Sequence, residues 1–310
     1  MKYLKKFETA AAKNAWLASD QFVLPNVVLT EGVVEYNIYD PSTIPLYIEA
    51  LEDLTISFGN TYEYSKDNST WMSGASDTII SASAGEKVYF RASGLTPTSS
   101  KGIGTFTISN GTCNVGGNIM SMVSGADFAT ASSVDTYHFY QLFKTCPIVN
   151  ATQLVLPALT LPNSAYREMF YNCSKLEVAP ALPATKVKNY SYAGMFSYCF
   201  ALKSAPALPA TVLGERCYSG MFSYCRKLEV SPTLPATTLS RYCYTDMFSE
   251  CSALAFIKML ATDITAFGCL NGWVSGVASS GTFVKSPAAT WDVTGVNGVP
   301  SGWTVETADA

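Results

Sequence analysis

Apolar residues recur at a fixed spacing through the second half of the chain. The motif Met-Phe-x-x-Cys begins at positions 169, 195, 221 and 247, so each step is 26 residues. A tyrosine three residues before each methionine and a leucine three residues after each cysteine keep the same step. A fixed period in this range is typical of a solenoid, in which each unit buries its apolar face against its neighbours.

Within one repeat, the apolar positions predict a helix followed by a strand. Tyr166, Met169, Phe170 and Cys173 stand at i, i+3, i+4 and i+7, which is one face of a two-turn helix. The segment LEVAP at 176–180 reads as a short strand that ends at a proline, and a Leu-Pro-Ala turn follows. We therefore expect one helix and one strand per repeat, with successive strands stacked into a parallel sheet.

Composition and short alternating runs divide the rest of the chain. Residues 1–40 form a candidate N-terminal module, residues 41–118 read as a β-sandwich of short strands, and residues 119–136 are a connector. Residues 137–262 hold five copies of the repeat, the first of them degenerate. Residues 263–310 break the period and read as a β-rich C-terminal cap. The predicted fold class is mixed but mostly β: a β-sandwich, a helix–strand repeat solenoid and a cap.

The N-terminal module is expected to anchor the chain. A short helix is predicted from Phe7 to Ala18, with Trp16 and Leu17 as its apolar contacts, and a hairpin is predicted at 27–37. The module is too small to bury a convincing core alone. We expect it to dock on another chain or on the next domain, with Phe7, Trp16 and Leu17 as contacts. An ordinary N-terminal cap is the alternative.

Charge and hydropathy limit the partners. The 310 residues carry a formal net charge of −4, and no basic block occurs, which disfavours nucleic-acid binding. No run of about 18 apolar residues occurs, so no membrane span is expected. The lysines at the start are followed by Glu8 and Lys13 rather than by an apolar stretch, so we expect no secretory signal.

Candidate catalytic and metal chemistry is sparse. The nine cysteines include no CxxC pair, and His138 is the only histidine, so we expect reduced core cysteines and a protein made in a reducing cytoplasm. No GxGxxG, P-loop or HExxH motif occurs. We expect no cofactor, no metal and no catalytic residue, and His138 is interpreted as structural. Paired carboxylates of a glycosidase stay open.

Two groups of residues are candidates for a binding surface. Glu177, Lys203 and Glu229 stand one repeat apart, which predicts a charged column on stacked strands. This column is either a solvated ladder of ion pairs or part of a polar binding face. Trp71 is either a core or cross-strand aromatic or an exposed platform for a sugar.

Two resemblances suggest a family. The unit YAGMFSYCFALKSAPALPA at 192–210 resembles BspA-like leucine-rich repeats, in which an Ala/Met-Phe-x-x-Cys-x-x-Leu step recurs. The start MKYLKKFET, the GIGTF and VGGNIMS segments and the end GVNGVPSGWTV are similar to proteins of gut Bacteroidetes and their crAss-like phages. In such phages similar chains are virion or fibre proteins. The resemblance implies a leucine-rich-repeat solenoid with a role in recognition or structure and no catalytic residues.

The function that follows is a non-enzymatic phage virion protein, a head or tail fibre or decoration subunit. The resemblance implies assembly in the host cytoplasm, contact with other virion proteins through the N-terminus, and a repeat domain that meets a host-surface glycan or protein. A fibre implies a homo-oligomer, with a homotrimer as the expected form. The alternative is a bacterial cell-surface adhesin with leucine-rich repeats, and a glycan-degrading enzyme is a third hypothesis.

Overall fold

The computed structural model describes residues 2–6, 27–30, 33–37 and 40–309 of the chain. This part is mostly β, as predicted, with nineteen strands in five sheets. The helices in it are short: an α-helix, α1 (Ser121–Ser124), and two 3-10 helices.

Three antiparallel strands form a small N-terminal sheet in the order β1-β3-β2. They are β1 (Lys2–Lys6), β2 (Val27–Thr30) and β3 (Val33–Asn37). Strands β2 and β3 pair from Val27↔Tyr36 to Thr30↔Val33, so the hairpin predicted at 27–37 is confirmed. The predicted helix and the anchor residues Phe7, Trp16 and Leu17 lie outside the described residues.

Two facing sheets follow the N-terminal strands. Their strands are β4 (Leu46–Ala50), β5 (Leu54–Phe58), β6 (Tyr62–Ser65), β7 (Met72–Gly74), β8 (Ile80–Ala82), β9 (Lys87–Arg91), β10 (Phe106–Ser109), β11 (Cys113–Asn118) and β12 (Ile148–Val155). One sheet has the order β10-β5-β8 and the other β12-β11-β4-β9-β6-β7. The ring of Phe106 lies 4.7 Å from that of Phe58 and 4.9 Å from that of Phe90, so aromatic side chains of both sheets fill the space between them.

The chain then winds into a solenoid, and each coil begins with a segment of consecutive turns. The turn segments of coils 1 to 6 occupy 136–145, 163–172, 189–198, 215–224, 241–250 and 267–276. Short parallel strands make the other sides of the coils: β13 (Thr160–Leu161), β14 (Lys186–Val187), β15 (Val212–Leu213), β16 (Val230–Leu234), β17 (Phe256–Met259), β18 (Thr282–Lys285) and β19 (Thr304–Thr307). The stacked turn segments are called the turn ribbon below.

The turn ribbon satisfies its backbone polar groups in two directions. Within a coil, every second N–H donates to the C=O three residues earlier, as from Met195 to Tyr192 at 3.1 Å. The N–H groups between them donate to the next coil, as from Phe196 to Met221 at 2.9 Å. Coils 1 to 5 each send five such bonds to the coil that follows. Because unpaired buried backbone groups are costly, this complete pairing stabilises the ribbon.

The prediction of a helix in each repeat is wrong. Every fourth ribbon residue has positive φ, for example +59° at Tyr190, +62° at Gly194 and +63° at Tyr198, whereas an α-helix keeps φ near about −63° throughout. The ribbon points two residues inward and the next two outward, so its pattern repeats every four residues. Over two turns this burial pattern matches that of a helix with 3.6 residues per turn. The buried positions were therefore predicted correctly, although the backbone that carries them is not helical.

The solenoid continues beyond the last Met-Phe-x-x-Cys motif. Gly268, Gly272 and Gly276 have φ of +64°, +60° and +71°, and each lies 26 residues after a positive-φ residue of coil 5. Strand β18 pairs with β17 at the same 26-residue step, and β19 follows in a shorter seventh coil. The prediction that residues 263–310 break the period is wrong for the backbone, because glycine adopts positive φ at little cost without the motif.

The β-sandwich covers the N-terminal end of the solenoid. Strand β11 pairs in parallel with β12, the first solenoid strand. The N–H of Phe106 donates to the C=O of Leu142 at 2.8 Å, and its ring stacks on Phe143 at 5.4 Å. A single hydrophobic core extends from Leu46 to Trp303, so the sandwich and the solenoid share their interior.

Two stacks of buried rings run through the solenoid. The phenylalanine stack has ring centroids 5.3 to 5.7 Å apart and comprises Phe143, Phe170, Phe196, Phe222 and Phe248. The tyrosine stack has centroids 5.7 to 6.0 Å apart and comprises Phe139, Tyr166, Tyr192, Tyr218 and Tyr244. Trp273 terminates both stacks, 6.1 Å from Phe248 and 6.5 Å from Tyr244. Its indole N–H donates to the C=O of Gly298 at 2.9 Å.

All nine cysteines are free and buried, in agreement with the prediction of reduced core cysteines. Five of them form a column in which each thiol donates to a phenylalanine C=O. The thiol of Cys146 donates to Phe106 of β10, and the other four donate to the phenylalanine of the preceding coil, as from Cys199 to Phe170 at 3.2 Å. Burial raises the pKa of Cys225 well above its usual value and that of Cys113 to about 12. These thiols are therefore protonated near neutral pH.

Candidate functional site

The outward face of the turn ribbon carries small residues along the centre line of its middle coils, and this surface is called the trough below. Two of every four ribbon residues point outward, and those near the centre line are small: Ala193, Gly194, Ser197, Ser219, Gly220 and Ser223. A Cβ placed on Gly220 would meet no atom within 4 Å, so the space above this floor is open. Larger side chains stand along both margins.

One margin carries alternating aromatic and arginine side chains, called the Tyr190 column. Its members, in order along the solenoid, are Tyr140, Arg167, Tyr190, Arg216, Tyr242, Arg241 and Phe267. The guanidinium carbon of Arg216 lies 5.9 Å from the ring centroid of Tyr190 and 4.1 Å from that of Tyr242. Cation–π contacts of this kind hold a guanidinium plane in place.

The backbone of coil 6 helps to position Tyr242. A Cβ on Gly268 would collide with the Tyr242 ring, so this ring rests directly on glycine backbone. Tyr242 also makes an edge contact with Phe267 at 5.4 Å. Any side chain at position 268 would displace Tyr242 and, with it, the support of Arg216.

The arginines of the Tyr190 column differ in how closely a glutamate neutralises their charge. Arg167 pairs with Glu168 at 3.1 Å, and Glu168 also accepts from Gln141 at 2.6 Å. Arg216 has a longer contact with Glu215, 3.7 Å. Arg241 is exposed and has no ion pair with another described residue. Uncompensated positive charge therefore increases from coil 2 to coil 5.

The opposite margin carries a second group of rings, called the Tyr198 column. The rings of Tyr198 and Tyr224 stack face to face at 4.6 Å, and Tyr171 contacts Tyr198 at 5.4 Å. Arg226 lies 5.2 Å from the ring of Phe200. Because the stacked rings cover one another's faces, this margin presents mainly ring edges and hydroxyl groups.

The charged column predicted from the sequence lies on the strand side of the solenoid, outside the trough. Lys203 and Glu177 form an ion pair with 2.5 Å between Nζ and Oε2, and this contact lowers the pKa of Glu177. Glu229 is exposed and forms no ion pair with a described residue. A binding role for these three residues remains a prediction.

Trp71 lies in the sandwich and is half-buried rather than an open platform. The guanidinium carbon of Arg91 stands 4.0 Å from its ring centroid. Arg91 is fixed in turn by Glu63, with 2.7 Å between Nε and Oε2. One face of the indole is thus covered, and a role in sugar binding stays a prediction for the other face.

Two apolar grooves lie along the proline-containing segments that precede the short strands β14 and β15. One has a volume of about 510 Å³ and is lined by Pro180, Pro183 and Pro206 among others. The next has a volume of about 440 Å³ and is lined by Pro209 and Pro235 among others. They follow the repeat, and their walls offer few polar groups that could orient a ligand.

The described ranges contain no cluster of metal-ligating side chains. No group of three His, Cys, Asp or Glu residues there could hold a metal ion. His138 is buried 3.8 Å from Asp135, and desolvation lowers its pKa. In the same part of the chain, no helix has the length and apolar character needed to cross a bilayer.

Comparisons with known proteins gave no relatives. No protein-family model, no curated protein and no solved structure matched the chain.

The Tyr190 column was missed in the sequence, although a signal was present. Tyr190, Arg216 and Tyr242 stand 26 residues apart, the same spacing as Glu177, Lys203 and Glu229. An aromatic–cation–aromatic alternation at the repeat period predicts stacking as directly as an acid–base–acid alternation predicts ion pairs.

Proposed function

We propose that the chain is a non-enzymatic virion protein of a phage, a head or tail fibre or decoration subunit. Its N-terminal module would join the particle, and the outward face of the turn ribbon would contact a glycan or protein on the host surface. The observation that carries the binding role is the trough, a rigid surface lined by aromatic and arginine side chains. The assignment to a virion rests on the resemblance of the chain's flanks to phage proteins.

The construction of the solenoid supports a role in binding. Each coil is held to the next by five ribbon hydrogen bonds and by stacked rings, so the outward side chains keep fixed spacings. Binding surfaces that are rigid before contact lose less conformational entropy on association. Kinship with BspA-like proteins and a homotrimeric fibre are parts of the same proposal.

Mass spectrometry of purified phage particles beside the host outer-membrane fraction tests the virion assignment. We expect peptides of this chain at stoichiometric level in the particles. Peptides confined to the membrane fraction would overturn it in favour of the bacterial surface adhesin.

Deleting residues 1–40 tests the anchor. We expect the truncated chain to fold, because the shared core begins at Leu46, and to be absent from particles. Normal incorporation of the truncated chain would contradict an anchoring role.

A further inference from the structure

The first five coils of the solenoid and the rest of the chain carry opposite charge. Residues 137–262 contain eleven Lys and Arg and six Asp and Glu, a formal charge of +5. The remaining residues contain nine and eighteen, a formal charge of −9, and the two values give the net −4 of the whole chain. A basic repeat domain in an acidic protein indicates an acidic ligand for that domain.

The positive charge is best presented at coils 4 and 5. Arg216 is held between Tyr190 and Tyr242, and the guanidinium carbon of Arg241 lies 5.2 Å from the ring of Tyr242 and 5.6 Å from that of Phe267. Stacking covers the faces of a guanidinium and leaves its N–H edge for an acceptor. A fixed edge favours bidentate recognition of a carboxylate.

An exposed apolar ring stands at the end of the same column. The side chain of Phe267 is 68% exposed, which is unusual for a phenylalanine. It lies beside Arg241, so an apolar surface and a positive edge are adjacent. The C–H face of a sugar ring that also carries a carboxylate fits both groups.

The spacing of the two arginines suits a linear polymer. Arg216 and Arg241 belong to neighbouring coils and both contact the ring of Tyr242, with their guanidinium carbons 4.1 and 5.2 Å from its centroid. The two guanidinium groups are therefore close together and follow one another along the solenoid axis. A polymer that runs along this axis and carries a carboxylate on each sugar can present carboxylates to both groups.

We propose that Arg216, Arg241 and Phe267 bind an acidic polysaccharide whose sugars carry carboxylates, such as a polyuronate. This inference rests on the proposed function, since it names the ligand class of the same surface. Nucleic acid is disfavoured as the ligand because arginines cover ring faces in the Tyr190 column and Tyr198 and Tyr224 cover each other, which leaves few faces for bases.

The experiment measures binding of the purified full chain to polygalacturonate by calorimetry at low and at physiological salt. Fully methyl-esterified polygalacturonate is the matched neutral polymer, and a single-stranded oligo-dT is the phosphate polyanion. We expect binding to polygalacturonate that weakens with salt, at least tenfold weaker binding to the ester, and weaker binding to oligo-dT. Equal binding to the ester, or tighter binding to oligo-dT, would overturn the proposal.

Variants locate the site. Arg241→Gln is expected to weaken binding about tenfold, since a charge-assisted hydrogen bond contributes about 1.5–3 kcal/mol. Arg241→Lys should restore only part of the loss, because an ammonium lacks the planar fork. Lys175 is exposed, forms no ion pair with a described residue and lies outside both columns. Lys175→Gln removes the same charge and should change binding less than threefold. An equal loss in Lys175→Gln would show attraction by net charge alone and overturn the site.

The outcome separates this inference from the proposed function. Wild-type chain that binds host cells but not polygalacturonate would contradict the ligand class and leave host attachment standing. Chain that binds polygalacturonate but is absent from particles would contradict the virion assignment and leave the ligand class standing.

Discussion

Coils 2 to 5 and coil 6 share one backbone but differ in sequence. Coils 2 to 5 repeat Met-Phe-x-x-Cys, whereas coil 6 has Trp273-Val274-x-x-Val277 and glycine at all three positive-φ positions. In both regions, every second backbone N–H donates a hydrogen bond to the C=O three residues earlier. The comparison shows that the ribbon requires inward residues of suitable size and residues that can adopt positive φ at every fourth position. The Met-Phe-x-x-Cys motif is one of several sequences that meet these requirements.

The largest expected difference between the two regions is in thiol reactivity. Cys225 is fully buried beside the phenylalanine stack, whereas Cys269 of coil 6 is 4% exposed and lies nearer the surface. Burial raises the pKa of both thiols. We expect Cys269 to react first with a thiol reagent at pH 8. Labelling of Cys225 should need global unfolding and be slower by a factor of about 10³ or more. Peptide mass spectrometry after timed labelling measures both rates, and equal rates would contradict the enclosed column.

Equivalent core positions should also differ in their contribution to stability. Phe222 and Val274 occupy the same inward position two coils apart, and both are buried. Phe222→Ala should lower the free energy of unfolding by about 3–5 kcal/mol, because it leaves a cavity between two rings. Val274→Ala should cost clearly less. Equilibrium denaturation measures both losses, and equal losses would show that the stacked rings add nothing special to coils 2 to 5.

Coil 1 provides a smaller effect that depends on pH. Burial lowers the pKa of His138, the only histidine, although Asp135 opposes this shift. The unfolded chain therefore binds the proton more tightly, so stability is full above about pH 6.5 and falls as the pH drops toward the lowered pKa. We expect the His138→Phe variant to lose less stability than the wild type between pH 7.5 and pH 5.5, as measured by thermal unfolding. An unchanged pH dependence would exclude His138 as its source.

The sequence predicted what is buried better than how the backbone runs. The inward Tyr, Met, Phe, Cys and Leu of each repeat were identified, and the runs in residues 41–118 form strands β4 to β6 and β8 to β10. The helix was wrong because a four-residue and a 3.6-residue period differ little over eight residues. Gly268, Gly272 and Gly276, each four residues apart, were the clearest sign of the ribbon, since a helix interior disfavours repeated glycine.

The candidate site was harder to predict than the core. Glu177 and Lys203 pair as expected because stacked strands bring equal repeat positions together. The Tyr190 column combines three different positions of the coil, for Arg167, Tyr190 and Arg241 are not equivalent in the repeat. A comparison of residues at one repeat position identifies only part of such a column. Which face of the solenoid carries the column depends on which ribbon residues point outward.

The most direct test of the turn ribbon uses an exposed positive-φ residue. Glu250 is exposed and has φ of +61°, where an L side chain costs roughly 1–2 kcal/mol. The account predicts that Glu250→Gly is more stable than Glu250→Ala by about 1 kcal/mol, measured by equilibrium denaturation. Lys227, which is exposed without positive φ, is the control, and there the alanine variant should be the more stable. If alanine is the more stable at position 250 as well, as helix propensity would require, the turn ribbon is contradicted.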